Sequence, residues 1–254
     1  MCPEPEEADL HMQKIYRSAV GLLIWIQHVV RVDISHAVFR LTRFMTNPGF
    51  NHYLALEWIA GYLKYSIRRA ILYSKGKSLD LRGYVDSDHG TDPDTRRSTY
   101  SYLFTFCGSP ISWKTGQSTR VCIGGTCESE IRAVYAMREG LKEMIYLKKY
   151  LTSLGFSGES EDAEIIASAS APFEVMEDNS ACIRFSEKPQ SATSLKFLEL
   201  DIFWINEVVR DRKEVKLVKV ESKNQLANHG TKNLDASSFE SEVSRLMVWL
   251  PDEF

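Results

Sequence analysis

The sequence lacks a strong net charge. Its 254 residues include 31 Lys and Arg against 34 Asp and Glu, which gives a formal net charge of −3 at pH 7. A chain with this balance has no overall electrostatic attraction to nucleic acid. Binding to nucleic acid would therefore require the basic residues to be concentrated on one face of the molecule.

Long hydrophobic runs are also missing. The most apolar stretch, VGLLIWI at 20–26, is much shorter than the roughly 20 residues that cross a bilayer. The start of the chain, MCPEPEEADLHM, is acidic and polar, unlike a secretory signal. We therefore expect no membrane association and an intracellular protein, cytoplasmic or nuclear. A hydrophobic content of 44% and a charged content of 26% are typical of globular domains.

Paired cysteines are absent. The five cysteines are odd in number and include no CxxC pair. Cys122 and Cys127 are a weak metal signal, because no histidine lies near them in the sequence. The pattern therefore predicts reduced thiols rather than a disulfide framework.

Helical periodicity extends from Tyr16 to about Tyr73, after a leader at 1–14 that we expect to be flexible. Asp33 is placed to cap the first of two amphipathic helices. We predict a helical hairpin or small bundle over 15–75, whose apolar faces need something to pack on. The residues predicted to face inward are Ile34, Ala37, Val38, Leu41, Phe44 and Met45, then Leu54, Trp58, Ile59, Tyr62 and Leu63.

Beyond a linker at 74–78 the periodicity changes to two, which indicates strands. Strands are predicted at 79–86, 99–106, 119–123, 172–178 and 214–220, and helices at about 128–154, 179–185, 194–212 and 224–234. The long helix should turn Val134, Met137, Leu141, Met144, Ile145 and Leu151 inward. The acidic stretch 156–171 is predicted to be a loose loop. This order predicts an α/β domain over 76–235, part antiparallel and part parallel, followed by a tail at 236–254.

Acidic residues fall near the ends of these predicted elements. Asp86 ends the first strand, Glu128 and Glu130 begin the long helix, and Asp178 ends the fourth strand. Taken singly they can be a turn residue, a favourable first-turn charge and a helix cap. Taken together at matching ends of one sheet, they could instead supply the hard oxygen ligands that Mg²⁺ requires for phosphodiester hydrolysis.

Longer motifs then occur in a consistent order. They are GYVDSDHGTDPDTRRSTYSYLF, GSPISW, CESEIRAVYAMREGLKEMIYLKKYLTSLG, EDNSACI, KFLELDIFWINEVV and NQLANHGTKNL. This set resembles the ribonuclease H domain of copia-type LTR retrotransposon Pol polyproteins. Residues 15–75 resemble the segment that joins reverse transcriptase to that domain. The Tyr-x-Asp-Asp turn of the polymerase is absent from the sequence, so we expect no reverse transcriptase activity.

The resemblance implies a ribonuclease H-like fold, with a five-stranded mixed sheet flanked by helices. It also implies a site of four carboxylates that holds two Mg²⁺ (or Mn²⁺) ions and cuts the RNA strand of RNA–DNA hybrids. Matched by motif, Asp86 is the first ligand, Glu130 the second and Asp178 the third. The fourth position falls on Asn228, which offers one neutral oxygen in place of a carboxylate. We therefore expect a weakened or inactive nuclease, the alternative being a module that only binds nucleic acid or a protein partner.

Several roles stay open at this point. Arg96, Arg97, Lys114 and Arg120 could follow the phosphates of a nucleic acid or form a solvated basic face. His229 could position a water or be an exposed loop histidine. The apolar faces of 16–73 could form a homo-oligomer or dock on another chain. Acidic residues that could replace the missing ligand are Asp88, Asp92, Glu199 and Asp201.

Overall fold

The computed structural model describes residues 10–74, 81–88, 97–121, 127–154, 172–187 and 199–251. The chain divides into two compact units. Residues 1–72 and 233–254 form one, here called the helical unit, and residues 73–232 form the other, the sheet unit. The predicted leader, linker and acidic loop fall largely or wholly outside the described residues, although a helix already begins at Leu10.

Seven helices and seven strands are assigned within the described residues. The helices are α1 (Leu10–Val29), α2 (Ser35–Thr42), α3 (Phe50–Tyr65), α4 (Cys127–Ser153), α5 (Ser180–Glu187), α6 (Glu199–Asn206) and α7 (Ala236–Val243). The strands are β1 (Arg69–Ala70), β2 (Leu81–Ser87), β3 (Arg97–Phe106), β4 (Ser109–Val121), β5 (Phe173–Glu177), β6 (Val215–Lys219) and β7 (Val248–Trp249). Among these residues, no helix is long and apolar enough to cross a membrane.

The helical unit has its own hydrophobic core. Buried side chains from α1, α2 and α3 meet there, and the hydroxyl of Tyr16 donates to the carbonyl of Leu41 at 2.9 Å. Three residues predicted to face inward are instead exposed, namely Ala37, Leu54 and Trp58. On α3 the packed face is formed by Tyr53, Leu56, Ile59, Tyr62 and Leu63. Trp58 points to solvent with 79% of its surface exposed.

A buried ion pair fixes the turn between α1 and α2. Asp33 was predicted to cap a helix, but its carboxylate instead accepts two hydrogen bonds from Arg31, at 3.0 and 2.7 Å. Its Oδ2 also accepts from the hydroxyl of Tyr62 at 2.6 Å. Arg31 donates further to the carbonyl of Ser66 at 3.2 Å. A charge that is buried needs such partners, so Asp33 serves long-range packing rather than a local cap.

The end of the chain belongs to the helical unit and is not a separate tail. Strand β7 pairs antiparallel with β1, so that Arg69 lies opposite Trp249 and Ala70 opposite Val248. The guanidinium of Arg69 lies over the Trp249 ring, 4.7 Å from its centroid, and forms an ion pair with Glu240 of α7. These contacts join residues that are far apart in sequence, which explains why the local pattern did not predict them.

The sheet unit contains the predicted five-stranded mixed sheet, with strand order β4-β3-β2-β5-β6. Strands β2, β3 and β4 pair antiparallel, whereas β5 pairs parallel with both β2 and β6. Strand β4 begins at Ser109, well before the predicted third strand. The reason is a two-residue hairpin turn at Cys107 and Gly108, whose φ angles of 51° and 81° match a type I′ turn.

Helix α4 packs on this sheet through the predicted face. Val134, Met137, Leu141 and Met144 are buried in the main core, and Ile145 and Leu151 pack against it. The helix approaches β2 closely at Gly140, where an added Cβ would lie 2.6 Å from Cγ2 of Val85. Trp113 and Trp204 also belong to the protein interior, Trp113 being buried and Trp204 packing against the core.

Replacing Asp33 with Asn should lower the free energy of unfolding by about 3–5 kcal/mol, because Arg31 would remain buried without a countercharge. The matched control is Asp211→Asn, since Asp211 and Arg210 are 53% and 43% exposed. That exposed pair should contribute less than about 1 kcal/mol. Urea unfolding followed by circular dichroism measures both variants, and equal effects would contradict a structural role for the buried pair.

Candidate active site

Asp86 is a buried carboxylate of the sheet unit that contacts two other side chains. It lies near the end of β2 opposite Ser101 of β3, and only 4% of its surface is exposed. The hydroxyl of Thr231 donates to its Oδ2. The ammonium of Lys232 lies 3.5 Å from the same oxygen. Asp86 is therefore a buried charge with two partners supplied by one distant segment.

Asp178 comes directly after β5, the parallel neighbour of β2. In that ladder Gly83 lies opposite Val175 and Tyr84 opposite Met176. Asp86 and Asp178 each lie two residues beyond the last pair of that ladder. Burial raises the pKa of Asp86, and the negative charge of Asp178 raises it further. Lys232 and Thr231 oppose both effects by stabilising the ionised form. The two predicted strand-end carboxylates are thus close enough to interact.

Gln225 holds the two carboxylate-bearing strands at their ends. Its side chain is fully buried, and its Nε2 donates to the carbonyls of Val85 at 3.0 Å and Met176 at 3.2 Å. The ladder between β2 and β5 stops at Tyr84 and Met176, so this amide takes over where pairing by the backbone ends. Sequence reasoning missed Gln225, since its acceptors are 140 and 49 residues away and leave no local pattern.

Asn228 lies in the segment that carries Gln225, Thr231 and Lys232, here called the site segment (residues 222–232). Asn228 is 5% exposed, and both polar atoms of its amide are in use. Its Nδ2 donates to the carbonyl of Ser222 at 2.7 Å, and its Oδ1 accepts from the ammonium of Lys232 at 2.6 Å. Lys232 therefore bridges Asn228 and Asp86.

The site segment does not form the predicted helix. It contains two short 3₁₀ turns, Ser222–Asn224 and Asn228–Gly230. Gly230 presses on the sheet, because a Cβ there would lie 2.1 Å from Oγ of Ser101 and 2.8 Å from Oγ1 of Thr115. Such close packing onto two strands competes with a regular helix and fixes the neighbours of Gly230 near Asp86.

His229 is not the exposed loop histidine that the sequence suggested. It is only 3% exposed, and its Nδ1 is hydrogen-bonded with the carbonyl of Leu226 at 2.6 Å. This contact orients the imidazole toward the site segment itself, which favours a structural role for the ring.

Glu177 is a further buried carboxylate that sequence reasoning missed. It is the last residue of β5, is 3% exposed, and accepts a hydrogen bond at 2.9 Å from the backbone N–H of Asn179. Burial raises the pKa of Glu177 well above its usual range, and the charges of Asp86 and Asp178 act in the same direction. The end of β5 therefore presents two successive acidic residues, of which Glu177 points to the interior.

Comparison with known proteins gives extensive matches to retroelement polyproteins. The chain is 33% identical over 241 residues, 94% of its length, to the retrovirus-related Pol polyprotein from transposon TNT 1-94 of Nicotiana tabacum. It is 30% identical over 233 residues, 92% of its length, to that from transposon RE1 of Arabidopsis thaliana. The chain belongs to the copia-type retrotransposon Pol polyproteins. It spans 17% and 15% of the length of these two relatives.

The comparisons with family models and with solved structures show less similarity. No family model matches the chain. Among solved structures, the N-terminal RNase H domain of rv2228c from Mycobacterium tuberculosis, as a fusion with maltose binding protein, covers 66% of this chain and 98% of that one at 9% identity, with a TM-score of 0.38. The foamy viral protease-reverse transcriptase in complex with dsDNA covers 82% of this chain and 38% of that one at 16% identity, with a TM-score of 0.47.

The structure describes only some of the other residues predicted for the site of this Pol segment. Glu130 lies in the first turn of α4, but its side chain is outside the described part. The same holds for the side chains of Arg120 and Glu199 and for the whole of Asp92 and Arg96.

Lys114 is exposed on β4 opposite Tyr102, five residues along β3 from Arg97. At ~3.4 Å per residue their backbone positions are about 17 Å apart along the strands. Asp201 accepts from Arg138 at 3.0 Å instead of joining the site.

The fit of these residues to a divalent cation is mixed. The carboxylates of Asp86 and Asp178 are oxygen ligands of the kind that Mg²⁺ takes. Asn228 fits less well, because its single oxygen is neutral and accepts a hydrogen bond from Lys232. Over the described part of the chain, no group of three or more His, Cys, Asp or Glu side chains is arranged to hold a metal ion.

Replacing Gln225 with Leu should lower the free energy of unfolding by about 1–3 kcal/mol for each buried carbonyl left without a donor. Asn224→Leu, one residue earlier and exposed, is the control and should change stability by about 0.5 kcal/mol or less. Urea unfolding of the two variants makes the comparison. A Gln225→Leu protein as stable as the control would mean that the strand ends do not depend on this amide.

The raised pKa of Glu177 predicts a pH-dependent gain from Glu177→Gln. The folded state keeps the Glu177 proton at pH values where the unfolded chain has lost it, so Glu177 destabilises the fold increasingly as pH rises above about 4. The variant should therefore be more stable than the natural protein at pH 7, and the difference should vanish near pH 4. Gln can still accept from Asn179, so the local hydrogen bond is retained.

Unfolding free energies measured between pH 4 and 7 test this dependence. Glu174→Gln on the same strand is the control, because that carboxylate is 40% exposed and pairs loosely with Lys216 at 3.7 Å. It should shift stability by less than about 1 kcal/mol. A stability difference for Glu177→Gln that is constant with pH would contradict the assignment.

Proposed function

We propose that this protein is a ribonuclease H-like segment of a copia-type Pol polyprotein, and that its hydrolysis of the RNA strand of RNA–DNA hybrids is weakened at the position of Asn228. The observation that supports the proposal is the meeting of Asp86, Asp178 and Asn228 at one end of the parallel pair β2 and β5, in a chain that matches Pol polyproteins over 94% of its length.

The position of these residues suits phosphodiester chemistry. Side chains at the ends of parallel strands open onto one edge of the sheet, where α/β proteins commonly bind ligands. Asp86, Glu130 and Asp178 would hold Mg²⁺ or Mn²⁺. A bound ion of this kind activates water and stabilises the leaving oxygen. The chain's own contribution is to fix the carboxylates, which Gln225 and Thr231 do through the contacts described above.

The cleavage should be weak because the side chain of Asn228 carries no charge. A carboxylate at position 228 would add one negative charge close to Asp86, whereas the amide of Asn228 adds none. Hard divalent ions bind more weakly as the number of charged oxygen ligands falls. The chain should therefore bind the ions loosely and cut slowly.

The substrate contacts would come from basic residues of the sheet unit. Lys114 on β4 and the basic residues Arg96, Arg97 and Arg120 would contact the phosphates of a hybrid or other nucleic acid. Such contacts give affinity without sequence preference and weaken as salt rises. An intracellular location, cytoplasmic or nuclear, follows from a nucleic-acid substrate.

The helical unit supports a docking role, which stays a prediction. Trp25 and Trp58 are 65% and 79% exposed, and Phe50 and Tyr65 are 75% and 77% exposed. Large apolar side chains exposed together are typical of protein contact surfaces. Because the relatives are about six times longer, we propose that these side chains contact another part of a Pol polyprotein or a second copy of the chain.

Cleavage of an end-labelled RNA–DNA hybrid tests the proposed function. In Mg²⁺ and in Mn²⁺ the natural protein should cut slowly, Asp86→Asn should abolish cutting, and Asn228→Asp should increase it at least about 10-fold, the lower range for changes at metal sites. Double-stranded RNA and DNA of the same sequence serve as substrate controls.

The outcomes separate the candidate functions. Fast cleavage by the natural protein that is lost in Asp86→Asn would contradict the weakening at Asn228. Hybrid binding without cleavage, even by Asn228→Asp, would favour a module that only binds nucleic acid. A protein that neither binds nor cuts the hybrid would overturn both and leave the docking role of the helical unit.

A further inference from the structure

The ammonium of Lys232 stands where the site's oxygens converge. It lies 2.6 Å from Oδ1 of Asn228 and 3.5 Å from Oδ2 of Asp86. Two oxygens from separate elements, one from β2 and one from the site segment, therefore share a single cation of the chain. A divalent ion that bridged the same two groups would need this space.

We propose that Lys232 is the resident cation of this site: its ammonium takes the place between Asp86 and Asn228 that a divalent ion would occupy, and must move away before such an ion binds. The inference rests on the proposed assignment of Asp86 and Asn228 as metal-site positions. It adds a residue that controls metal binding, a role that the motif containing Lys232 did not indicate.

The pair of Asp86 and Lys232 balances its charges without a metal, whereas Asp178 adds a further negative charge nearby. Asp86 contributes one negative charge, Asn228 none and Lys232 one positive charge, so the buried carboxylate is neutralised by the chain itself. Removing one partner of such a pair leaves an uncompensated buried charge, which strongly destabilises a fold. The amide at 228 is consistent with this balance, because a lone ammonium needs only one carboxylate.

The residues just before Lys232 in the chain are buried, whereas its own side chain is partly exposed to solvent. Its neighbour Thr231 is fully buried, and Gly230 is pressed against Ser101. The Lys232 side chain is nevertheless 32% exposed, against 4% for that of Asp86. The Lys232 side chain therefore borders the solvent into which the proposed movement would take it, whereas the Asp86 carboxylate is enclosed.

The test is Mn²⁺ binding, measured for the full-length chain by electron paramagnetic resonance of the free ion, with no nucleic acid present. Lys232→Gln should bind Mn²⁺ about 10–100-fold more tightly than the natural protein, the range typical of groups that surround metal ligands. Lys223→Gln is the matched control. It removes the same charge from the same segment, but Lys223 is 76% exposed and pairs with Glu221, so the affinity should not change.

Two further variants locate the effect. Adding Asp86→Asn to Lys232→Gln should cancel the gain, because the freed carboxylate is the one that binds the ion. Lys232→Arg keeps the charge and should show no gain. Equal Mn²⁺ affinity in the natural protein and Lys232→Gln would overturn the proposal, as would a gain that survives Asp86→Asn.

The same set of variants also distinguishes a loss of folding from a change in Mn²⁺ binding. If Lys232→Gln alone does not fold, the double variant Asp86→Asn with Lys232→Gln should fold, since it removes both charges of the pair. Failure of the double variant to fold would overturn the assignment of Lys232 as the countercharge. A gain in Mn²⁺ affinity without hybrid cleavage would sustain this inference and contradict the nuclease function, so the two can fail separately.

Discussion

The buried carboxylate of Asp86 is the constraint around which the sheet unit is organised. A carboxylate with 4% of its surface exposed has lost most of its hydration, and the protein must replace that hydration with hydrogen bonds and a countercharge. Both come from Thr231 and Lys232, which are separated from Asp86 by more than half of the chain. The surroundings of Asp86 at the end of β2 are therefore complete only when the site segment lies against them.

The same principle applies to the helical unit. In the helical unit the buried pair Arg31 and Asp33 ties the turn after α1 to Tyr62 and Ser66 near the end of α3. In the sheet unit the pair is Asp86 and Lys232. The difference lies in exposure, because Arg31 and Asp33 are both almost fully buried whereas Lys232 retains access to solvent. The first pair suits a permanent structural contact, and the second suits a contact that can open.

The sequence was most informative where a residue's environment is set by its neighbours in the chain. The inward face of α4, the mixed sheet and the carboxylates at the ends of β2 and β5 all follow from local periodicity or from motif resemblance. Gln225 and Lys232 stand inside the NQLANHGTKNL motif, but neither the motif nor local periodicity gives their contacts, since each acts on groups in other elements. Asp33 shows the same limit, because its position suited a helix cap but Arg31 and Tyr62 provided stronger partners.

The hydrogen bonds of Asn228 change the meaning of its difference from the family pattern. Its Nδ2 donates to the carbonyl of Ser222, and a carboxylate at the same position could not donate there. The amide therefore does two things that an aspartate cannot do together: it closes the 3₁₀ turns of the site segment and presents a neutral oxygen to Lys232. Asn228, Thr231 and Lys232 satisfy one another and Asp86 as a set. A carboxylate at 228 would add the missing negative charge at the site but would lose the bond to Ser222, so the gain in metal binding would be accompanied by a loss of stability in the site segment.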